Sequence, residues 1–119
     1  MLYDKKWDAK IETDEIKTVL TRAREILAEE SRWTKGCWSR TADGKEGMPG
    51  GMNFSMAASY CISGAIYAAA GCEIGHGFAI EFLKTIKKSS GFPGSWNDHP
   101  TRTHADVLAL LDKAIAARD

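Results

Sequence analysis

The sequence lacks a net charge, because its 16 basic residues are balanced by 16 acidic residues. A protein without a basic excess lacks the usual electrostatic attraction for nucleic acid or for an anionic membrane surface. No apolar run approaches the roughly 20 residues that a membrane-spanning helix needs, and the charged N-terminus contains no apolar signal region. The sequence therefore predicts a cytoplasmic protein whose partners include no nucleic acid and no membrane.

The sequence also lacks a C-x-x-C pair and an even number of cysteines. Its three cysteines are Cys37, Cys61 and Cys72. An odd, unpaired set of this kind is typical of free thiols in a reducing compartment rather than of a disulfide framework.

Basic residues are missing from the middle of the chain. Residues 47–83 contain only Glu73 and Glu81 as charged side chains, whereas residues 1–46 contain ten charges of each sign. We interpret this middle third as the interior of the protein. A chain of 119 residues fits one domain, which we assign to residues 1–119.

An uncharged, alanine-rich stretch at residues 55–71 predicts a central helix, since it is too long for a typical strand. A helix without a charged face is usually buried on most sides. Its small residues form one stripe that lets another backbone approach closely: Ala57, Cys61, Gly64 and Ala68.

Three further helices are predicted from apolar residues at helical spacing. The first covers residues 14–31 with Thr13 as its N-cap, and the last covers residues 104–117 behind a capping box of Thr103 and Asp106. The third helix of the four follows Gly77, and its predicted buried stripe is Phe78, Ala79, Phe82, Leu83 and Ile86.

The Asp43-Gly44 turn signal is compatible with a small β-hairpin within residues 36–48. The predicted fold is therefore all-α or mostly α: a compact bundle of about four helices around the central uncharged helix, with this hairpin as a possible addition.

Residues 96–104 concentrate more chemical groups than any other stretch. One interpretation is local structure, in which Asn97 and Asp98 form turns, Thr103 caps a helix and Trp96 fills the core. The other is a binding site, since loops on rigid scaffolds often carry function and tryptophan is enriched at binding hot spots. The candidate binding residues are Trp33, Trp38, Trp96, Asn97, Asp98, His99, Arg102 and His104.

Nucleophilic catalysis is an alternative for this stretch. Cys61 could serve as the nucleophile, with His104 as its base and Asp98 as the group that orients the base. Against this, Cys61 falls well inside the predicted helix, whereas a catalytic thiolate prefers a helix N-terminus or a cationic neighbour. No catalytic residue is therefore assigned from the sequence alone.

Zinc binding is a second alternative, because Cys72-x3-His76 and His99-x4-His104 each resemble half of a zinc site. Neither half is a C-x2-C pair, and the glycines at 44–51 do not form a phosphate-binding loop. The sequence accordingly predicts no metal and no cofactor.

Three pieces of the chain together resemble a known family. They are Trp33-Thr34-Lys35-Gly36, the stretch Tyr60-Cys61-Ile62-Ser63-Gly64-Ala65, and Trp96-Asn97-Asp98-His99-Pro100 with Thr103 and the residues 106–108 and 111–115. The chain resembles a small uncharacterised family of bacteria and their phages, one of the numbered families of unknown function, over residues 14–117. The resemblance implies a compact, mostly helical domain and no activity. The residues of its shared framework would be Trp33, Cys61, Gly64, Asn97, Asp98 and Thr103.

With no complete catalytic motif, the sequence favours a non-enzymatic binding or interaction module of a bacterium or phage. Its partner would be an unknown protein or small ligand. The alternative is a thiol-dependent hydrolase or transferase that uses Cys61, His104 and Asp98.

Overall fold

The computed structural model describes residues 14–87 and 91–119. Within them the fold is mostly α-helical with one small antiparallel sheet, as predicted. The elements in chain order are α1 (Glu15–Ile26), a 3-10 turn (Glu30–Arg32), β1 (Ser39–Thr41), β2 (Glu46–Gly47), α2 (Met52–Ser55), β3 (Ala57–Tyr60), α3 (Ile62–Ala70), α4 (Glu73–Lys87), α5 (Pro93–Asn97) and α6 (His104–Ala116). No helix among the described residues is long and apolar enough to cross a membrane.

The first helix is shorter than the predicted 14–31. Asp14 is its N-cap, and the Asp14 side chain accepts a hydrogen bond from the Lys17 backbone N–H. Thr13, the predicted cap, lies outside the described residues. The helix stops at Leu27, and the chain then tightens into the 3-10 turn.

The prediction of one helix over residues 55–71 is wrong in its first third. Residues Ala57–Tyr60 form strand β3, Cys61 is the N-cap of α3, and the helix begins at Ile62. Strand pairing overrides the alanine-rich local preference here, because β3 supplies the hydrogen-bonding partner that β1 needs on its second edge. Gly71 ends the helix in a left-handed conformation with φ of 74°.

The hairpin is confirmed, and β3 extends it to a sheet with the strand order β2-β1-β3. Ser39 pairs with Gly47 on one side and with Tyr60 on the other, both antiparallel. The turn uses Gly44 at φ of 90°, a conformation that glycine adopts without strain.

The predicted buried stripe of α4 needs one correction. Phe78 is 62% exposed, and Ile80 is buried in its place together with Ala79 and Leu83. The capping box at the start of α6 is confirmed, since Thr103 Oγ1 accepts from the Asp106 N–H and Asp106 Oδ2 accepts from the Thr103 N–H.

The apolar core lies where the four longer helices meet. Helix α1 contacts α3, α4 and α6, so it shares the central place that the sequence assigned to the uncharged helix alone. The fully buried large side chains of this core are Leu20, Leu27, Ile62, Ile66, Leu83, Val107 and Leu111. The close approach expected of the small residues occurs at Gly64, where an added Cβ would lie 2.1 Å from the Trp38 carbonyl oxygen.

Candidate functional site

The fully buried amide of Asn97 joins the three pieces of the chain that carry the family resemblance. Asn97 Oδ1 accepts hydrogen bonds from Trp33 Nε1 at 2.7 Å and from the Ile62 backbone N–H at 3.0 Å. Its Nδ2 donates to the Thr34 carbonyl at 3.0 Å. A buried polar group is costly unless it is hydrogen-bonded, so these partners hold the loop after the 3-10 turn, the start of α3 and the end of α5 in one arrangement.

Two further contacts hold the same loop against residues 98–100. The Gly36 backbone N–H donates to Asp98 Oδ1 at 2.9 Å, and Lys35 Nζ donates to the His99 carbonyl at 2.9 Å. The loop also pairs with the sheet, because the Thr34 N–H donates to the Tyr60 carbonyl at 2.9 Å. The segment from Trp33 to Gly36 is therefore fixed on both sides.

We call the hydrogen bonds of Asn97 to Trp33, Thr34 and Ile62 the Asn97 joint. A pocket of about 560 Å³ opens beside it. That volume is within the range of pockets that bind small molecules. One wall consists of the chain from Gly36 to Trp38 and the start of α3: Gly36, Cys37, Trp38, Cys61 and Ser63. The other lining residues belong to α4 and to the segment around α5: His76, Gly77, Ile80, Glu81, Phe92, Gly94 and Asp98.

A smaller cavity of about 320 Å³ adjoins the pocket. Gly36, Cys37 and Trp38 line both cavities, and Glu46, Gly47 and Met48 of the hairpin complete the smaller one. Trp38 therefore belongs to the lining of both cavities.

Cys61 lines the pocket and is only 5% exposed. Contrary to the sequence-based placement inside a helix, it directly precedes α3, and its Sγ accepts a hydrogen bond from the Gly64 N–H at 3.2 Å. Burial raises the pKa of the Cys61 thiol to about 11, against the smaller opposing effect of the Gly64 and Ser63 backbone N–H groups. Cys61 is therefore a neutral thiol at pH 7, and a thiol is a poor nucleophile compared with its thiolate.

His76 and Trp38 line the pocket and belong to one aromatic group. The His76 ring centroid lies 5.6 Å from that of Trp38 and 5.4 Å from that of Tyr67. Desolvation lowers the pKa of His76, and the charge of Glu73 only partly offsets this, so the ring is neutral at pH 7. Its Nε2 is buried and has no hydrogen-bond partner among the described residues.

His104 does not line the pocket. Its Nε2 donates to the Leu27 carbonyl at 2.6 Å and satisfies an acceptor at the end of α1. Its ring packs on Trp33 with 6.1 Å between centroids. The structure thus brings Cys61 and Asp98 to one pocket and places His104 in a different contact, while His76 is the histidine that shares the pocket with Cys61.

The other residues of the 96–104 stretch contact one another. The Arg102 guanidinium lies 3.9 Å from the Trp96 ring centroid, and its Nε donates to the Trp96 carbonyl. His99 Nδ1 accepts from the Thr101 N–H at 3.2 Å. Of the candidate binding residues, only Trp38 and Asp98 line the pocket, and Trp33 and Asn97 support its wall.

The four residues of the zinc alternative occupy separate places. His76 lines the pocket, His99 contacts Thr101 and His104 contacts Leu27. Cys72 is exposed, and its Sγ accepts from the Gly75 N–H at 3.4 Å. In the part of the chain that the structure describes, no three His, Cys, Asp or Glu side chains are grouped so that they could hold a metal ion.

Sequence reasoning missed the contribution of α4 to the pocket. His76 and Ile80, and likewise Gly77 and Glu81, are four residues apart and thus lie along one face of the helix. Gly77 leaves that face open, since an added Cβ would meet no atom within 4 Å. The predicted helix began after Gly77, whereas α4 begins at Glu73. The helical position of Gly77, which costs about 1 kcal/mol relative to alanine, therefore became visible only in the structure.

Comparison with known proteins leaves the activity open. No curated protein and no solved structure matches the chain. One family model matches residues 12–117, which is most of the sequence, and it describes a family of unknown function. The chain therefore belongs to the family of unknown function DUF6197.

Proposed function

We propose that this chain is a non-enzymatic binding module that holds a small molecule in the pocket between the Trp33–Gly36 loop and α4. The pocket of about 560 Å³ beside the Asn97 joint is the observation that carries the proposal. A concave, mostly apolar pocket with a few fixed polar groups is the usual form of a ligand site.

The hydrogen bonds beside the pocket favour a binding function. The hydrogen bonds of Asn97 fix one wall before any ligand arrives, and a site fixed in advance loses less conformational entropy on binding. The three motif pieces that resemble the family converge on this wall. A bacterial or phage origin and a cytoplasmic location belong to the same proposal, supported by the resemblance and by the three free cysteines.

A matched pair of variants tests the proposal. Gly77→Leu adds a side chain into open space in the pocket, and a helical glycine is replaced at little cost to folding. Ala109→Leu makes the same kind of change on an exposed position of α6. A fragment library is screened by ligand-observed NMR against the wild type and both variants.

We expect fragments to bind the wild type and Ala109→Leu, and to lose binding in Gly77→Leu. Two results would contradict the proposal: a wild-type protein that binds no fragment, or hits that bind Gly77→Leu unchanged.

A thiol-dependent hydrolase or transferase is the second candidate, because Cys61 lines the pocket directly before α3 and shares it with His76. The high pKa of Cys61 counts against it. Incubation with p-nitrophenyl acetate, followed by intact-protein mass spectrometry, separates the two functions. The binding module forms no acetyl adduct on Cys61, whereas turnover that disappears in Cys61→Ala would establish the enzyme.

A further inference from the structure

The pocket is lined by charge of one sign only. Glu81 and Asp98 are its charged lining residues, and no Lys or Arg of the described ranges lines it. The remaining polar groups, among them the thiols of Cys37 and Cys61, are neutral at pH 7, since burial raises the pKa of each thiol. An anionic ligand would meet repulsion here and no compensating cation.

Asp98 is the carboxylate that is held in place. Its Oδ1 accepts from the Gly36 N–H at 2.9 Å and from Asn97 Nδ2 at 3.0 Å. Its Oδ2 has no protein partner among the residues that the structure describes. Both Asp98 and Glu81 are exposed. Glu81 differs because its carboxylate pairs with Lys84 Nζ at 3.3 Å.

An aromatic wall accompanies this carboxylate. Trp38 lines the pocket and is positioned by edge contact with Tyr67 at 6.4 Å and by His76 at 5.6 Å between centroids. The face of a tryptophan attracts an ammonium group. A carboxylate and an indole that line the same pocket are a combination that recognises an organic cation.

The cations of the neighbouring loop are already engaged. Lys35 Nζ donates to the His99 carbonyl, and Arg40 donates to Thr34 Oγ1 at 3.0 Å and to the Lys35 carbonyl at 3.2 Å. Neither residue lines the pocket.

We propose, resting on the binding function above, that the ligand is an organic cation: an ammonium group that pairs with Asp98, attached to an aromatic or alkyl part that packs on Trp38 and Ile80. Negatively charged ligands and neutral analogues of the same shape bind less well. The ligand class is thus an alkyl- or arylammonium compound.

Three probes of one shape test this: benzylammonium, benzyl alcohol and benzoate. Each is titrated into the 15N-labelled protein at pH 7, and dissociation constants are taken from amide chemical shifts. The proteins are the wild type, Asp98→Asn, Glu81→Gln and Asp112→Asn. Asp112 pairs with Arg24 on the surface, away from the pocket, and serves as the matched control.

We expect the wild type to bind benzylammonium about tenfold more tightly than benzyl alcohol, and benzoate most weakly. Asp98→Asn should bring the affinities for benzylammonium and benzyl alcohol together, and saturable binding of benzyl alcohol to this variant shows that its pocket is folded. Asp112→Asn and Glu81→Gln should keep the preference. In the wild type, high salt should reduce the preference for benzylammonium, a readout that does not depend on the folding of any variant.

The proposal is overturned if the wild type shows no preference for the cation, or if the preference survives in Asp98→Asn. In both cases, the proposed binding function would still stand if Gly77→Leu abolishes the binding of benzyl alcohol. Only the proposed preference for a cation would then be withdrawn. If none of the three probes binds and the fragment screen is also empty, the binding function itself falls.

Discussion

Two regions of the molecule are buried by different forces. Where α1, α3, α4 and α6 meet, the interior consists of aliphatic side chains such as Leu20, Ile66 and Leu111, which need no partner of fixed geometry. Around Asn97 the interior is polar, and one amide satisfies donors and acceptors from two other segments. The first region can adapt to a change in volume, whereas the second requires every partner in place.

The largest effect is expected from Asn97→Ala. It leaves the Trp33 indole N–H, the Ile62 N–H and the Thr34 carbonyl without their partner. At about 1–3 kcal/mol for each unsatisfied buried group, the free energy of unfolding should fall by about 3–5 kcal/mol. Urea unfolding measures the loss.

The matched control is Asn53→Ala, which removes an exposed amide contact to the Glu46 carbonyl and should change stability little. If Asn97→Ala lowers the free energy of unfolding no more than Asn53→Ala does, the hydrogen bonds of Asn97 do not hold this region together.

Leu111→Ala tests the apolar region. Leu111 is fully buried on α6, and truncation should cost about 2–5 kcal/mol through lost burial and the cavity left behind. Because α6 does not line the pocket, binding of the wild-type fragment hits should persist below the lowered melting temperature. Loss of binding in a folded Leu111→Ala protein would show that the two regions are not separable.

Trp33→Phe removes a single hydrogen bond of the joint. Asn97 Oδ1 keeps its bond from the Ile62 N–H, so we expect a loss of only about 0.5–1.5 kcal/mol for the bond itself. Chemical denaturation of Trp33→Phe and of Asn97→Ala measures the two losses in the free energy of unfolding. An equal cost for the two variants would indicate that the indole, and not the amide, organises the joint.

Cys61 provides a pH-dependent chemical readout of its burial. With a pKa of about 11, roughly one Cys61 in ten thousand is a thiolate at pH 7, and the fraction rises about tenfold per pH unit below the pKa. Iodoacetamide should therefore label the exposed Cys72 first, and the rate at Cys61 should climb with pH without levelling off near neutrality. Peptide mass spectrometry follows each site, and a plateau at Cys61 below pH 8 would revive the thiol-dependent enzyme.

Most local features could be predicted from the sequence. The helical class, the Asp43-Gly44 hairpin and the Thr103–Asp106 capping box all depend on residues within a few positions of one another, and the structure contains each of them. The strand Ala57–Tyr60 could not be predicted, since its alanines and serine favour a strand only beside β1. The exposure of Phe78 could not be predicted for a related reason, because it depends on which face of α4 packs against the other helices.

The candidate site was predictable only in part. The sequence predicted that residues 96–104 are a candidate site, but it did not separate the roles of three of them. Asn97 joins segments of the chain, Asp98 lines the pocket, and His104 donates to the Leu27 carbonyl at the end of α1. Their sequence context is alike, so only the partners across the fold distinguish them.

By itself the sequence determined the mostly helical class, the Asp43-Gly44 hairpin, the Thr103–Asp106 capping box and the family, because these depend on short-range preferences and on residue patterns. Only the tertiary structure decided that Asn97 joins three distant segments, that His76 rather than His104 shares the pocket with Cys61, and that Asp98 keeps an unpaired oxygen beside that pocket. Hydrogen bonds, burial and pKa values are set by neighbours some 60 residues away along the chain, and short-range patterns do not contain that information.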